Sequence, residues 1–498
     1  MMQRLKTPLL LFLAAVLTRL PFTSRLLYNI DSVQFVLGTD KLDVALHQPQ
    51  PPGYYLYVMS GRLFRLFLHN PNTAFVAISI LASGLAAIVV YLLGREVFDG
   101  ETGVAASVLF IASPLMWFHG EVALSYMPEA LMSVLIAYIC YRMMKGQNAL
   151  YWLAAVVLAV AGGIRQNTMV FLMPLWFFSM KRLGLRRLIL SLFIFGATVL
   201  AWFVPMLIET GGYARYSFAL RAHWLDANWR GIHLDWIAFN AQYMTYFILS
   251  GLLLALAPLL AELLNMFRGR TGLPDRETAA FFAAWLLPPF LFHLIVFTHP
   301  AVPGHSLIYV VGLIVLAARA LAGASQKLRI GRRSLLAAIA SVNAMFFIFA
   351  PYPLSARGIR KHDHALRGYI NAVRDNFSPS DTEIISGDQM LYSYRQAMYY
   401  LPEYRVYSNV LITTPEGPRL FWGQGRRTYK ARWIRPLTTT RRYVDFWNYK
   451  PEEKAGLPAG TRFINLGNGQ SLAYYESLDE LYKVSRIKPY LDPALKPK

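Results

Sequence analysis

Thr73-Ala74-Phe75-Val76-Ala77-Ile78-Ser79-Ile80-Leu81-Ala82-Ser83-Gly84-Leu85-Ala86-Ala87-Ile88-Val89-Val90-Tyr91-Leu92-Leu93-Gly94 runs for 22 residues without a charge, and Arg95 follows at once. A helix of about 20 apolar residues is long enough to cross the roughly 30 Å hydrocarbon core of a bilayer. Lipid offers no partner to backbone polar groups, so only helices and closed barrels can span it. The run is too long and too continuous for a barrel strand, whose residues would alternate. It is therefore read as a membrane-crossing helix. Similar runs occupy 8–24, 103–119, 127–144, 149–163, 168–181, 187–208, 240–266, 277–297, 303–321 and 333–351. The expected architecture is an α-helical polytopic membrane protein of about eleven spans.

Composition agrees. The chain is 55% hydrophobic with 15% charged residues, against about 25% charged in soluble domains; its mean hydropathy is +0.36. The net charge of +21 is spread over loops and a tail. That distribution argues against nucleic acid and fits anionic lipid head groups or a phosphate-bearing substrate. The single cysteine, Cys140, lies in an apolar run and excludes an intrachain disulfide or a cysteine-based metal site.

Basic residues set the orientation. Arg4 and Lys6, Arg95, Arg142 and Lys145, Lys181 to Arg187, and Lys327 to Arg333 fall in alternate short loops. The positive-inside rule then places the N-terminus in the cytoplasm. Thr18-Arg19-Leu20-Pro21 lacks the small residues of a signal-peptidase site, so the first span reads as uncleaved. An odd number of spans puts the C-terminal part outside the cytoplasm.

The expected domains are a transmembrane domain over 1–351, with an outer loop at 25–72, and a soluble extracytoplasmic domain over 352–498. A further outer segment covers about 209–239. In the C-terminal domain, Glu383–Ser386, Tyr404–Tyr407, Arg462–Asn465 and Leu472–Tyr475 read as strands. Met390 to Tyr400 reads as a helix, with Leu391, Tyr394 and Met398 on one face. This pattern predicts a small α/β domain, with the Arg- and Trp-rich stretch Trp422–Arg442 as loops.

The threading gathers unusual polar groups on one side. Asp31 lies in Asn29-Ile30-Asp31-Ser32, just after the first span. Its plainer reading is a solvated loop or a helix cap. His47-Gln48-Pro49-Gln50-Pro51-Pro52-Gly53-Tyr54-Tyr55 follows, and stiffening prolines with interfacial tyrosines account for most of it structurally. Glu121 and Glu129 sit at the outer ends of the third and fourth spans. Ionisable groups there are functional candidates, although Glu129 also suits a helix N-terminus. Arg165 and Gln166 occupy the outer turn of Gly162-Gly163-Ile164-Arg165-Gln166-Asn167. An arginine there can hold a phosphate or can snorkel. His305 and Tyr309 head the tenth span.

In this topology, Asp31, the His47–Tyr55 stretch, Glu121, Glu129 and Arg165 resemble the GT-C-fold integral membrane glycosyltransferases. The nearest flavour is the protein-mannosyltransferase and aminoarabinose-transferase group. The resemblance covers about residues 5–350. Asp31-Ser32 stands where the protein mannosyltransferases have Asp-Glu, which weakens a protein as acceptor. The resemblance implies transfer of a sugar from a polyprenyl-phosphate donor to an extracytoplasmic hydroxyl on a lipid, glycan or protein. Asp31 would be the base, with Glu121 or Glu129 orienting the acceptor, holding the base or ligating a possible divalent metal ion. Arg165 would stabilise the leaving phosphate. His47, Tyr54, Tyr55, Gln166, His305 and Tyr309 would line the substrate site. A transporter or flippase of a lipid-linked envelope precursor is the alternative. Such proteins place substrate groups near the midplane on broken helices, often in repeated halves, whereas here the charged residues cluster at the outer ends and no internal repeat stands out.

Overall fold

The structure, a computed structural model, describes residues 2–224, 231–268, 275–449, 451–454, 456–467 and 469–496. Residues 225–230 of the expected outer segment lie outside the described residues. The chain forms two compact units. The first comprises Met1–Ser24, Pro52–Met206 and Asn228–Ile359; the second comprises Arg25–Pro51, Leu207–Ala227 and Arg360–Lys498.

The first unit is helical. Six helices among the described residues are long and apolar enough to cross a membrane: Pro71–Val97, Leu185–Thr210, Leu234–Phe267, Arg276–Ile295, Pro303–Leu328 and Arg332–Phe349. Gly100–Ala112 and Asn148–Ile164 are apolar but shorter. The run that decided the fold class is the helix Pro71–Val97, which begins with Pro71 at N1 and is capped by Asn70, whose side chain accepts from Thr73 N–H at 3.1 Å. It packs against the helices Met2–Arg19, Gly100–Ala112 and Tyr126–Met144. The contact with Gly100–Ala112 is backbone on backbone: a Cβ on Gly103 would lie 2.5 Å from the Tyr91 carbonyl oxygen.

The run 103–119 is not one helix. Helix Gly100–Ala112 stops at Ser113, and a short helix restarts at Pro114–His119. Pro114 has no N–H to donate back, and the Ser113 hydroxyl caps the new helix at Met116 N–H. The run 240–266 is also interrupted, at Leu253, whose φ is +43°.

The second unit is built on a seven-stranded mixed sheet. Its strands are β1 (Thr382–Ser386), β2 (Arg405–Ile412), β3 (Arg419–Gln424), β4 (Arg427–Ala431), β5 (Arg442–Tyr449), β6 (Arg462–Gly467) and β7 (Gln470–Tyr475). The spatial order is β4-β3-β2-β1-β5-β7-β6, with β1 parallel to both β2 and β5. Leu366, Tyr369, Ile370 and Val373 from the long helix before β1 pack on Ile384, Val406 and Phe446 of the sheet. The expected helix begins at Tyr394 rather than Met390, because Ser393 and Gln396 form a capping box there.

The stretch Trp422–Arg442, expected as loops, instead supplies the end of β3, all of β4 and the start of β5. Gly425 (φ +58°) and Arg426 (φ +61°) make the two-residue turn that suits a tight hairpin. Across it, Trp422 faces Tyr429, with ring centroids 4.4 Å apart. Such cross-strand aromatic pairs stabilise a sheet, and neither signal has the periodicity of a buried strand.

The early segment 25–51 belongs to this unit. Asp363 accepts from the N–H groups of Arg25 (2.7 Å) and Leu26 (3.2 Å). The Tyr400 hydroxyl accepts from Leu27 N–H at 2.8 Å, and Ile30 N–H donates to the Met390 carbonyl at 2.9 Å. Buried Arg395 donates to the Leu46 carbonyl at 2.6 Å. Side chains separated by more than 300 residues therefore anchor this segment, and local pattern carries no trace of them.

One buried carboxyl makes this unit sensitive to pH. Glu383 on β1 is 2% exposed, 3.6 Å from Arg405, and accepts from Leu437 N–H at 3.3 Å. Burial outweighs these partners and pushes its carboxyl up to about 7. Between its ordinary value and about pH 7 the folded state holds a proton that the unfolded chain has lost. This group's contribution to stability therefore falls as pH rises through that window. Glu383→Gln is expected to change little near pH 5 and to raise stability near pH 8 by up to about 3 kcal/mol. Thermal unfolding at the two pH values checks it; an equal shift at both would sink the prediction.

Candidate active site

Arg165 sits where two apolar helices meet, as the C-cap of Tyr151–Ile164 and the N-cap of Gln166–Ser179. Its extended backbone (φ −154°, ψ 111°) breaks what would otherwise be one run. The break points a guanidinium into the protein, where it is 5% exposed. Its Nε lies 3.3 Å from Glu129 Oε2, and its Nη1 donates to the Ser125 hydroxyl at 3.4 Å. Its carbon centre stands 4.5 Å from the Tyr126 ring centroid and 5.5 Å from that of Tyr54.

Glu129 is held in turn. It lies in the first turn of helix Tyr126–Met144, is 2% exposed, and accepts from the Thr168 hydroxyl at 2.8 Å. Its Oε2 makes no hydrogen bond among the described residues, although it faces the arginine. Taking two ions out of water costs several kcal/mol each, and close pairing offsets this only in part. An arginine has five N–H donors in a planar fork. Here the fork faces Glu129, Ser125 and the Tyr126 side chain.

Tyr54 has φ +49°, unfavourable for a bulky side chain by roughly 1–2 kcal/mol, and it caps helix Tyr55–Arg65. Tyr55 follows, half-buried, in that helix. Gln166 donates to the Pro52 carbonyl at 2.9 Å, joining the Pro-Tyr stretch to the Arg165 turn. His305 meets Tyr126 edge-on at 5.6 Å. Tyr309 lies 6.1 Å from His293. The structure thus brings Tyr54, Glu129, Arg165, Gln166, His305 and Tyr309 together in the first unit.

Three residues of this cluster were missed: His119, Tyr126 and His293. Tyr126 is its hub, with His119 edge-on at 5.4 Å and His305 on another side. His293 stacks on His305 at 5.5 Å. His119 Nδ1 meets the Leu115 carbonyl at 2.8 Å and His293 Nδ1 the Phe297 carbonyl at 2.9 Å. Each ring therefore donates from Nδ1 and offers Nε2 as an acceptor. The sequence signals were histidines in apolar runs, His119 at the end of 103–119 and His293 within 277–297.

Glu121 lies near a second buried arginine. It is fully buried and interacts electrostatically with Arg19, itself fully buried with its guanidinium 5.2 Å from the Trp117 ring. Arg19 donates to the Thr18 hydroxyl at 2.9 Å. A charged residue at the end of a span should have marked Arg19 as a candidate.

Asp31 and His47 are in the second unit. Asp31 is half-buried in the first turn of helix Ile30–Asp40, which Asn29 and Ser32 cap. His47 packs on Phe421 at 5.3 Å and His223 at 5.7 Å. Burial, then neighbouring His223, Arg395 and Lys430, hold its imidazole well below the usual histidine range, so it is neutral at pH 7. Among the described residues, no group of three or more His, Cys, Asp or Glu is placed to hold a metal ion.

Apolar helices carrying a buried arginine at a helix break, with a sheet domain appended, have the GT-C fold of membrane glycosyltransferases. Residues 50–208, which include Tyr54, Glu121, Glu129 and Arg165, match the family model described as dolichyl-phosphate-mannose-protein mannosyltransferase. The fold is similar to that of ArnT from Cupriavidus metallidurans bound to undecaprenyl phosphate. The TM-score is 0.58 at 12% identity, covering 94% of this chain and 97% of that one. The apo state of the same protein aligns with a TM-score of 0.55 at 12% identity, over 97% and 99% of the two chains. No curated protein sequence matches. The resemblance read from the sequence holds for the fold.

Proposed function

We propose that the protein transfers a sugar from a polyprenyl-phosphate donor to a hydroxyl outside the cytoplasm, in one inverting displacement. The observation that carries this reading is Arg165, buried, oriented by Glu129 and two tyrosines, within the segment that matches the mannosyltransferase model. The undecaprenyl phosphate named with ArnT supports a lipid-linked donor. In the reaction, the acceptor oxygen loses its proton to a carboxylate and bonds to the anomeric carbon. The bond from that carbon to the phosphate oxygen breaks, and the polyprenyl phosphate leaves with the electron pair. A fixed cation at that oxygen stabilises the charge as it develops; Arg165 has this role. Asp31 is the base. The acceptor is a lipid, glycan or protein.

The accompanying topology has about eleven spans, a cytoplasmic N-terminus and an extracytoplasmic C-terminal domain. Residues 1–351, with an outer loop at 25–72, are its transferase domain, although segments 25–51 and 207–227 fold into the sheet unit.

Purified protein incubated with polyprenyl-phosphate sugars and candidate acceptors tests the reading, because only a transferase releases polyprenyl phosphate. Asp31→Asn should lower transfer by roughly 10²–10⁴-fold with an unchanged unfolding temperature. Undiminished transfer would remove Asp31 as the base.

A further inference from the structure

The β3–β4 hairpin and the loop after it carry a feature that the transfer reaction does not use. Between residues 417 and 444 the chain has eight basic residues (Arg419, Arg426, Arg427, Lys430, Arg432, Arg435, Arg441 and Arg442) and no Asp or Glu. Two of them are neutralised, Arg435 by Asp492 at 2.7 Å and Arg442 by Glu476 at 3.1 Å. Lys430 lies within electrostatic reach of Asp43. Arg426, Arg427, Arg432 and Arg441 are exposed and form no ion pair among the described residues. A solvated surface normally mixes both signs. A charge or two would keep the open edge of β4 from pairing with another strand; this run goes well beyond that.

Aromatic rings are interleaved with these charges. Arg405 lies 4.5 Å over Trp422, and Trp422 stacks on Tyr429, whose side is 40% exposed at the end of the sheet. Arg432 lies 5.5 Å from the half-buried Trp433, and Leu437 is 47% exposed. Trp and Tyr rings favour the head-group region of a bilayer, and arginine forks match phosphate oxygens. The same chain carries six helices long and apolar enough to cross a membrane, so a phosphate-bearing surface is always within its tether.

We propose that residues 419–442 form a docking surface for the head groups of anionic phospholipids. The rings enter the head-group layer and the four unpaired arginines meet lipid phosphates. The attraction reaches only about a Debye length and is screened by salt.

Site-directed labelling is direct here, because the one cysteine, Cys140, is buried. Gln424→Cys, exposed at the end of β3, takes a fluorophore in the full-length protein. The labelled protein is placed in nanodiscs of phosphatidylcholine, with or without phosphatidylglycerol, containing a head-group-nitroxide quencher. Quenching is expected to be severalfold stronger with phosphatidylglycerol and to be lost in about 1 M salt. It should also be lost in Arg426→Gln/Arg427→Gln/Arg432→Gln/Arg441→Gln, with its unfolding temperature as the control for folding. Absence of quenching, equal quenching in the two lipids, or quenching that survives salt or the substitutions would overturn the proposal. Release by micromolar tripolyphosphate would also overturn it, in favour of a soluble polyanion. If the quadruple variant fails to fold, the lipid and salt comparisons on Gln424→Cys alone still decide.

Discussion

Arg165→Ala is expected to abolish transfer and to destabilise the helical unit by about 3–5 kcal/mol. Both effects have one origin. Glu129 is 2% exposed, and among the described residues its Oε2 makes no hydrogen bond and faces this guanidinium at 3.3 Å. Without Arg165 it must stay charged and buried, or take up a proton. Arg165→Lys should recover part of the stability but little of the transfer, since an ammonium is a point charge and cannot face a carboxylate and a phosphate as a planar fork. The double variant Arg165→Leu/Glu129→Leu separates the two effects. Replacing a buried pair by apolar side chains is often neutral for folding, so thermal unfolding should return near the wild-type value while transfer stays absent. Released polyprenyl phosphate and the unfolding temperature are the two readouts. Wild-type transfer by Arg165→Ala would remove Arg165 from the reaction.

Glu121→Ala is expected to be as damaging to folding, by about 3–5 kcal/mol, for a different reason. It leaves Arg19 charged, with no exposure, beside the Trp117 ring. Arg19→Met/Glu121→Leu should restore most of the stability. Because Glu121 acts electrostatically on Arg19, the same double variant should also restore transfer. The result distinguishes the two glutamates that sequence alone left equivalent. A double variant that folds normally yet transfers nothing would make Glu121 part of the chemistry.

The class of the fold was legible because hydropathy is a local property. Twenty-two uncharged residues at 73–94 report their solvent without reference to the rest of the chain. The same holds for β1, β2, β6 and β7, whose apolar runs appear in the sequence. The hairpin of β3 and β4 was not legible, since its signals are one Gly-Arg turn and one aromatic pair across it. The helix break at Ser113-Pro114 was readable in principle from the proline.

The candidate site divides in the same way. Arg165 and Glu129 were visible as charges where apolar runs end, because an ion near lipid needs a reason. That they pair with each other, and that Glu121 lies within electrostatic reach of Arg19, was not visible, since either arginine would have served either glutamate by charge alone. The hub residue Tyr126 looked like any interfacial tyrosine. The sequence by itself determined a polytopic helical protein with a sheet domain and the short roster of ions. Tertiary structure alone decided their partners and assigned residues 25–51 to the sheet unit. Hydrogen bonds and close ion pairs need contact distances, and only packing brings such distant residues that close.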